Sequence, residues 1–178
     1  MYFCSEIKNL DKMHSTIRKS AMQNGLIIGL LLSLKFIFST QNSGLLSFLS
    51  IMISISIVVL LYILAVKFRD KELDGTISYG HAFSSIFQNY LYGSIILWLV
   101  MLVYIFYINP SFLEIYKEQT LKMYHDLKIQ MNDSTYKAME TFFKPSSFIA
   151  LNMFASAITG AFWALILAAF VKREKNIF

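Results

Sequence analysis

Residues 45–66, LLSFLSIMISISIVVLLYILAV, run for twenty-two positions without a charge, and this constrains the chain more than any other feature. A bilayer's hydrocarbon core is about 30 Å thick and is crossed by about 20 apolar residues in a helix. The β-branched residues in the run would suit a strand in water. In lipid, however, a lone strand leaves its N–H and C=O groups unpaired, whereas a helix pairs them within the segment. Three more stretches meet the same requirement, 21–39, 84–108 and 148–171. Of the 178 residues, 56% are hydrophobic and 15% charged, against about 45–50% and about 25% in soluble domains. A water-soluble fold of this size could not cover its exterior with so little polar surface. The expected fold class is all-α: an integral membrane four-helix bundle, with a helical extracytoplasmic loop at 109–147 between the third and fourth spans. Residues 1–20 form an N-terminal segment and 172–178 a cationic tail.

The charges orient this bundle. Lys8, Lys12, Arg18 and Lys19 precede the first span, Lys67, Arg69 and Lys71 follow the second, and Lys172, Arg173 and Lys175 follow the fourth. The opposite side carries the uncharged link TQNSG and the long loop, whose five lysines are balanced by five acids. The positive-inside rule then places both termini in the cytoplasm of a bacterial inner membrane. The net charge of +5 is a consequence of topology, and no nucleic-acid partner is needed to explain it. Lys35, one turn before Ser39, can snorkel to the headgroups. No small-x-small cleavage pattern follows Phe38, so the first span is expected to stay in the mature protein. Cys4 is the single cysteine and excludes an intrachain disulfide.

The stretch GTISYGHA at 75–82 has two glycines before a helix, as a phosphate-binding loop would. It lacks the Lys and Ser/Thr that contact phosphate and magnesium, with His81 and Ala82 following Gly80. It reads as a turn whose flexibility comes from Gly75 and Gly80. The longer DGTISYGHAF, followed by an aromatic span and INPSF, resembles a bacterial inner-membrane family catalogued as domain of unknown function 4199. The matching positions are Gly75, Ile77, Ser78, Tyr79, Gly80, Ala82 and Phe83, then Ile108, Asn109, Pro110 and Phe112. His81 stands where that family would carry glutamine. The resemblance extends from the first span to the tail and adds little before it, where translation could equally start at Met13. It implies four membrane helices and no particular activity.

Helices in lipid associate through small residues that let backbones approach. The first span offers Ala21, Gly25, Gly29 and Ser33, and the fourth offers Asn152, Ser156, Gly160, Ala164 and Ala168. These two grooves are expected to face each other, or alternatively to make a homo-oligomer. Ser47, Ser50 and Ser54 share a face of the second span. His81, Ser85, Gln88, Asn89 and Tyr92 form a polar flank on the third, suited to interhelical hydrogen bonds or to a polar path. In the loop, Pro110 stops the third span. Leu113, Tyr116, Thr120, Tyr124, Leu127 and Met131 then recur at helical spacing, with Glu118 and Lys122 placed as an i,i+4 pair. Asp133 or Ser134 is expected to cap a second helix bearing Tyr136, Met139 and Phe143, which Pro145 ends. The hairpin is expected to fold onto the bundle or lie in the interface; alternatively it docks an envelope partner, with Phe112, Tyr116, Tyr124 and Tyr136 as the candidate anchors.

No carboxylate falls within a span, and His14, His81 and His125 are scattered over separate segments. The sequence has no zinc-ligand spacing and no nucleophile elbow, so no catalytic residue, metal or cofactor is assigned. The leading expectation is a non-enzymatic membrane subunit or scaffold, with the lipid bilayer and a protein as its partners. The alternative is a small oligomeric carrier for a lipid-linked or amphipathic molecule, using the polar flank.

Overall fold

The structure is a computed structural model that describes residues 2–41, 43–129 and 132–173, with the backbone alone for residues 2–12 and 14. Met131 of the loop stripe and Lys175 of the tail lie outside the described residues. The fold is all-α: α1 (Tyr2–Ser39), α2 (Gly44–Glu72), α3 (Tyr79–Val103), a π-helical turn (Tyr104–Ile108), α4 (Phe112–Asp126), α5 (Asp133–Phe142) and α6 (Pro145–Val171). Four segments are long and apolar enough to cross a membrane: Ser15–Ser39 of α1, α2, α3 with its π-turn, and α6. The chain is a multi-pass membrane protein. Its burial pattern is the inverse of that of a soluble domain. Ile55, Phe154, Ile158 and Phe170 are more than half exposed, while Ser33, Ser50, Ser85, Asn89 and Ser94 are buried. Apolar side chains have nothing to escape in lipid, so the contacts between helices are left to residues that pack closely.

The residues group into two compact units, one of 1–97 with 156–178 and the other of 98–155. The core of the first combines Ile17, Ile28 and Leu32 of α1 with Leu61, Ala65 and Phe68 of α2. Ile86 and Tyr90 of α3 and Ala164, Ala168 and Val171 of α6 complete it. Ile17 is fully buried, and α1 is unbroken at residue 21, so the helix and its packing both begin upstream of the expected span.

The glycines of the two expected grooves do not face each other. A Cβ on Gly25 would lie 2.6 Å from Tyr92 Cβ, and one on Gly29 would lie 2.8 Å from the Gly93 carbonyl oxygen. One on Gly93 would lie 3.0 Å from the Gly29 amide nitrogen. A Cβ on Gly160 would come within 2.6 Å of the Tyr90 ring. The glycines of both α1 and α6 therefore approach α3. Gly93, which lay outside the expected stripes, completes the crossing of two backbones. Ser33 does not bridge helices here; its hydroxyl donates to the Gly29 carbonyl on its own helix at 2.7 Å.

A clamp closes one end of this unit. After α2, Asp74 (φ 50°) and Gly75 (φ 78°) adopt left-handed backbone that turns the chain. Ile77 and Arg173 then exchange two backbone hydrogen bonds, each 2.9 Å. Arg69 Nη1 donates to the Val171 carbonyl at 3.0 Å, and Tyr79 Oη to the Leu165 carbonyl at 3.1 Å. A cation at the last carbonyl of α6 is favourably placed in the helix dipole. Of the two glycines only Gly75 takes part in the turn; Gly80 lies in the first turn of α3, and a Cβ added to it would touch nothing within 4 Å.

The glycine crossing gives a paired test in detergent-driven unfolding followed by tryptophan fluorescence. Gly29→Ala is expected to destabilise by about 1–3 kcal/mol through overpacking. Gly80→Ala should leave stability unchanged or raise it by up to about 1 kcal/mol.

Candidate functional site

The second unit contains a cleft lined by aromatic and polar side chains. Its π-turn closes with the Asn109 amide donating to the Tyr104 carbonyl at 2.8 Å. Pro110, which cannot donate, keeps the helix from continuing. Phe106, Tyr107 and Ile108 are 53%, 83% and 65% exposed, as suits an aromatic belt at a membrane interface. From there α4 begins, and its rings knit into the rest of the unit. Phe112 stacks on Tyr116 with centroids 5.8 Å apart and meets Tyr104 and Phe148 edge-on. Tyr116 contacts Phe143 at 5.7 Å, and Phe142 contacts Phe143 at 5.0 Å and Phe148 at 5.9 Å. Edge-to-face pairs of this kind fix ring orientation beyond what burial alone does.

The two loop helices are delimited differently from expectation. α4 ends at Asp126, and Lys128 (φ 53°) turns the chain. The cap of α5 is Asn132, whose Oδ1 accepts from the Thr135 amide at 2.8 Å and from the Ser134 and Thr135 hydroxyls. Asp133 and Ser134 are thus already inside the helix, and the capping side chain is the first of NDS. Pro145 opens α6 and does not close α5, because its fixed φ and missing N–H suit the first helical position. The last span therefore starts three residues earlier than expected. Glu118 and Lys122 form no ion pair; among the described residues the only ion-pair contacts are Arg69–Asp70 at 2.8 Å and His125–Asp126 at 3.9 Å.

Between α4, α5 and the first turns of α6 lies a cleft of about 550 Å³, within the range typical of ligand pockets. α4 lines it with Tyr116, Thr120 and Tyr124, α5 with Ala138, Met139 and Phe142, and α6 with Phe148 and Asn152. Of the four expected anchors, Tyr116 and Tyr124 line the cleft. Phe112 builds the aromatic frame beside it, and Tyr136 is half exposed on α5 outside the lining. Phe142 and Phe148 went unrecognised, and only their aromatic character marked them. Asn152, read as part of a packing stripe, lines the cleft instead, with its Nδ2 held by the Phe148 carbonyl at 2.8 Å.

The expected polar flank on α3 divides. His81 Nδ1 and the Ser78 hydroxyl are 2.7 Å apart, Gln88 donates to the Ser84 hydroxyl at 3.0 Å, and Tyr92 stands at the glycine crossing. Ser85 and Asn89 alone are sealed in the core, each 1% exposed. Asn89 Nδ2 donates to the Ser85 carbonyl at 2.8 Å, while Asn89 Oδ1 and Ser85 Oγ have no hydrogen-bond partner among the described residues. Of the remaining small residues, Ala164 and Ala168 are fully buried and Ser156 half-buried. Among the described residues no three His, Cys, Asp or Glu side chains gather at metal-binding distance.

Residues 23–173 match the family described as protein of unknown function (DUF4199), and the chain belongs to that family. No curated protein and no solved structure matches it.

A buried acceptor without a donor costs about 1–3 kcal/mol. Asn89→Leu, similar in volume and free of that oxygen, is expected to raise or preserve stability in the same detergent titration. A loss of more than about 1 kcal/mol would mean that the carboxamide makes an additional bond in the bilayer.

Proposed function

We propose that this DUF4199 protein is a non-enzymatic membrane subunit that holds an apolar segment of a second membrane protein in the cleft between α4, α5 and α6. The observation that carries this reading is the cleft itself. It has rigid aromatic walls, hydroxyl groups at Tyr116, Thr120 and Tyr124, and an amide at Asn152. Aromatic side chains fixed by their neighbours are the kind of anchor on which interface energy concentrates. The small-residue stripes suit partner binding less well, because Gly25, Gly29 and Gly160 are already occupied by α3 of the same chain. Substituting Gly160 would therefore perturb the fold before any partner.

The proposed topology puts both termini in the cytoplasm and the cleft on the extracytoplasmic side. Reporter fusions after residues 72 and 128 are expected to signal from opposite compartments; matching signals would overturn it.

Thr120→Trp fills the cleft without touching the helix crossings. Purified in mild detergent beside the wild type and Ile55→Trp on lipid-facing α2, it is expected to lose a stoichiometric protein partner that the other two retain. Its thermal stability should be unchanged. Equal recovery of that partner from all three variants would reject the cleft as the binding site.

The carrier reading rests on the unpartnered Ser85 Oγ and Asn89 Oδ1. It ranks second because both side chains are closed off from the surface. Its test is the double change Gln88→Leu and Asn89→Leu, which must abolish flux if these groups line a path.

A further inference from the structure

α5 borders a second groove, which shares Ala138 and Phe142 with the cleft just described and otherwise has its own wall. It measures about 650 Å³ and is bounded by Lys137 and Thr141 of α5 and by Ser147, Ala150, Leu151 and Phe154 of α6. We propose that this groove is a binding site for a single anionic phospholipid, with an acyl chain on the α6 wall and the phosphate at Lys137.

The position of the α6 wall determines what can cover it. Pro145–Val171 is long and apolar enough to cross a membrane. Its residues 147–154 are the opening turns of that span, a rise of about 10 Å at ~1.5 Å per residue. Leu151 and Phe154 are 45% and 70% exposed there, so the molecule next to them is the bilayer's own lipid. Polarity changes along the same wall, from the Ser147 hydroxyl at its start to Ala150, Leu151 and Phe154 further in. A phospholipid has the same gradient, with ester oxygens close to the headgroup and methylenes beyond.

The charge comes from α5. Lys137 makes no ion pair among the described residues. The Thr141 hydroxyl donates to the Lys137 backbone carbonyl at 3.0 Å, a bond that does not involve the ammonium group. Of the acids one turn away on the helix, Glu140 lines a different pocket with Glu114, Lys117 and Lys144, and Asp133 makes no ion pair among the described residues and is not part of the groove wall. The groove beside Lys137 therefore presents a cation and no carboxylate. A zwitterionic lipid would satisfy the apolar wall equally well, so preference for an anionic headgroup is the property that Lys137 adds.

The test is native mass spectrometry of the full-length protein released from mild detergent and titrated with dioleoylphosphatidylglycerol or dioleoylphosphatidylcholine. The first phosphatidylglycerol is expected to bind about fivefold more tightly than phosphatidylcholine, the ratio for one lysine worth about 1 kcal/mol beside an anionic headgroup. Lys137→Gln should reduce phosphatidylglycerol to the phosphatidylcholine level. Ala150→Trp, which fills the apolar wall, should remove the first bound molecule of either lipid. Lys117→Gln removes the same charge from another surface and should change nothing. The proposal fails if the wild type does not discriminate between the lipids, or if Lys117→Gln costs as much as Lys137→Gln. It also fails if millimolar inorganic phosphate displaces the bound lipid, since that would indicate a free-anion site. None of these readings depends on a protein partner, so the cleft proposal stands or falls separately.

Discussion

The first unit depends on the close approach of two backbones at Gly25, Gly29 and Gly93. In water, apolar helices are driven together by the surface they remove from solvent. In lipid that drive is absent between helices, and shape complementarity must replace it. A single added methyl at Gly29 would fall inside the contact distance of a backbone oxygen and an isoleucine side chain, so α1 and α3 meet where the side chains leave room. Tyr90 uses the corresponding gap at Gly160 of α6. One helix thus receives α1 and α6 through glycine, and α3 becomes the organising element of that unit.

The polar side chains within the spans do little to select partners. Ser33, Ser54, Ser94 and Asn152 each donate to a carbonyl four residues earlier on the same helix. Such bonds satisfy the group locally and leave pairing undetermined. The contacts that do reach across, Arg69 to Val171 and Tyr79 to Leu165, cluster at one end with the Ile77–Arg173 bridge. Helix pairing in the first unit therefore follows from glycine shape along the spans and a hydrogen-bonded clamp at one end.

These two sources of order explain what could be read from the chain alone. Span existence follows from the length of uninterrupted apolar residues, which is a local property, and the family resemblance reached the same four helices. The stripes at Gly25/Gly29 and Gly160 marked contact faces, but spacing along one helix carries no information about which helix fills the groove. The glycines of α1 and α6 therefore turned out to face α3 and not each other, and Gly93 was missed because it stands alone. Boundaries failed where one residue type serves two roles: Pro145 ends or begins a helix with equal chemical sense, and every residue of NDS can cap. The cleft was least legible of all. Tyr116, Met139 and Phe148 come together only through the turn at Lys128 and the short link before Pro145.

The same reasoning locates the parts of this protein that remain available to other molecules. The glycine faces are used internally, and most of the polar groups in the spans are satisfied on their own helices. α5 is the exception. It has ten residues, none of them buried, and isolated helices shorter than about 12–15 residues are marginal in water. Its Asn132 cap and the ring contacts of Phe142 anchor its two ends, but its middle turns, Tyr136 to Met139, are covered by little else in the chain. A cleft opens on one flank and a groove on the other, one walled by aromatic rings and the other by a membrane helix with a lysine at its rim. A short amphipathic helix left open on both sides is held most firmly when both are filled. A protein segment in the cleft and a lipid in the groove would each complete the packing that α5 cannot supply for itself.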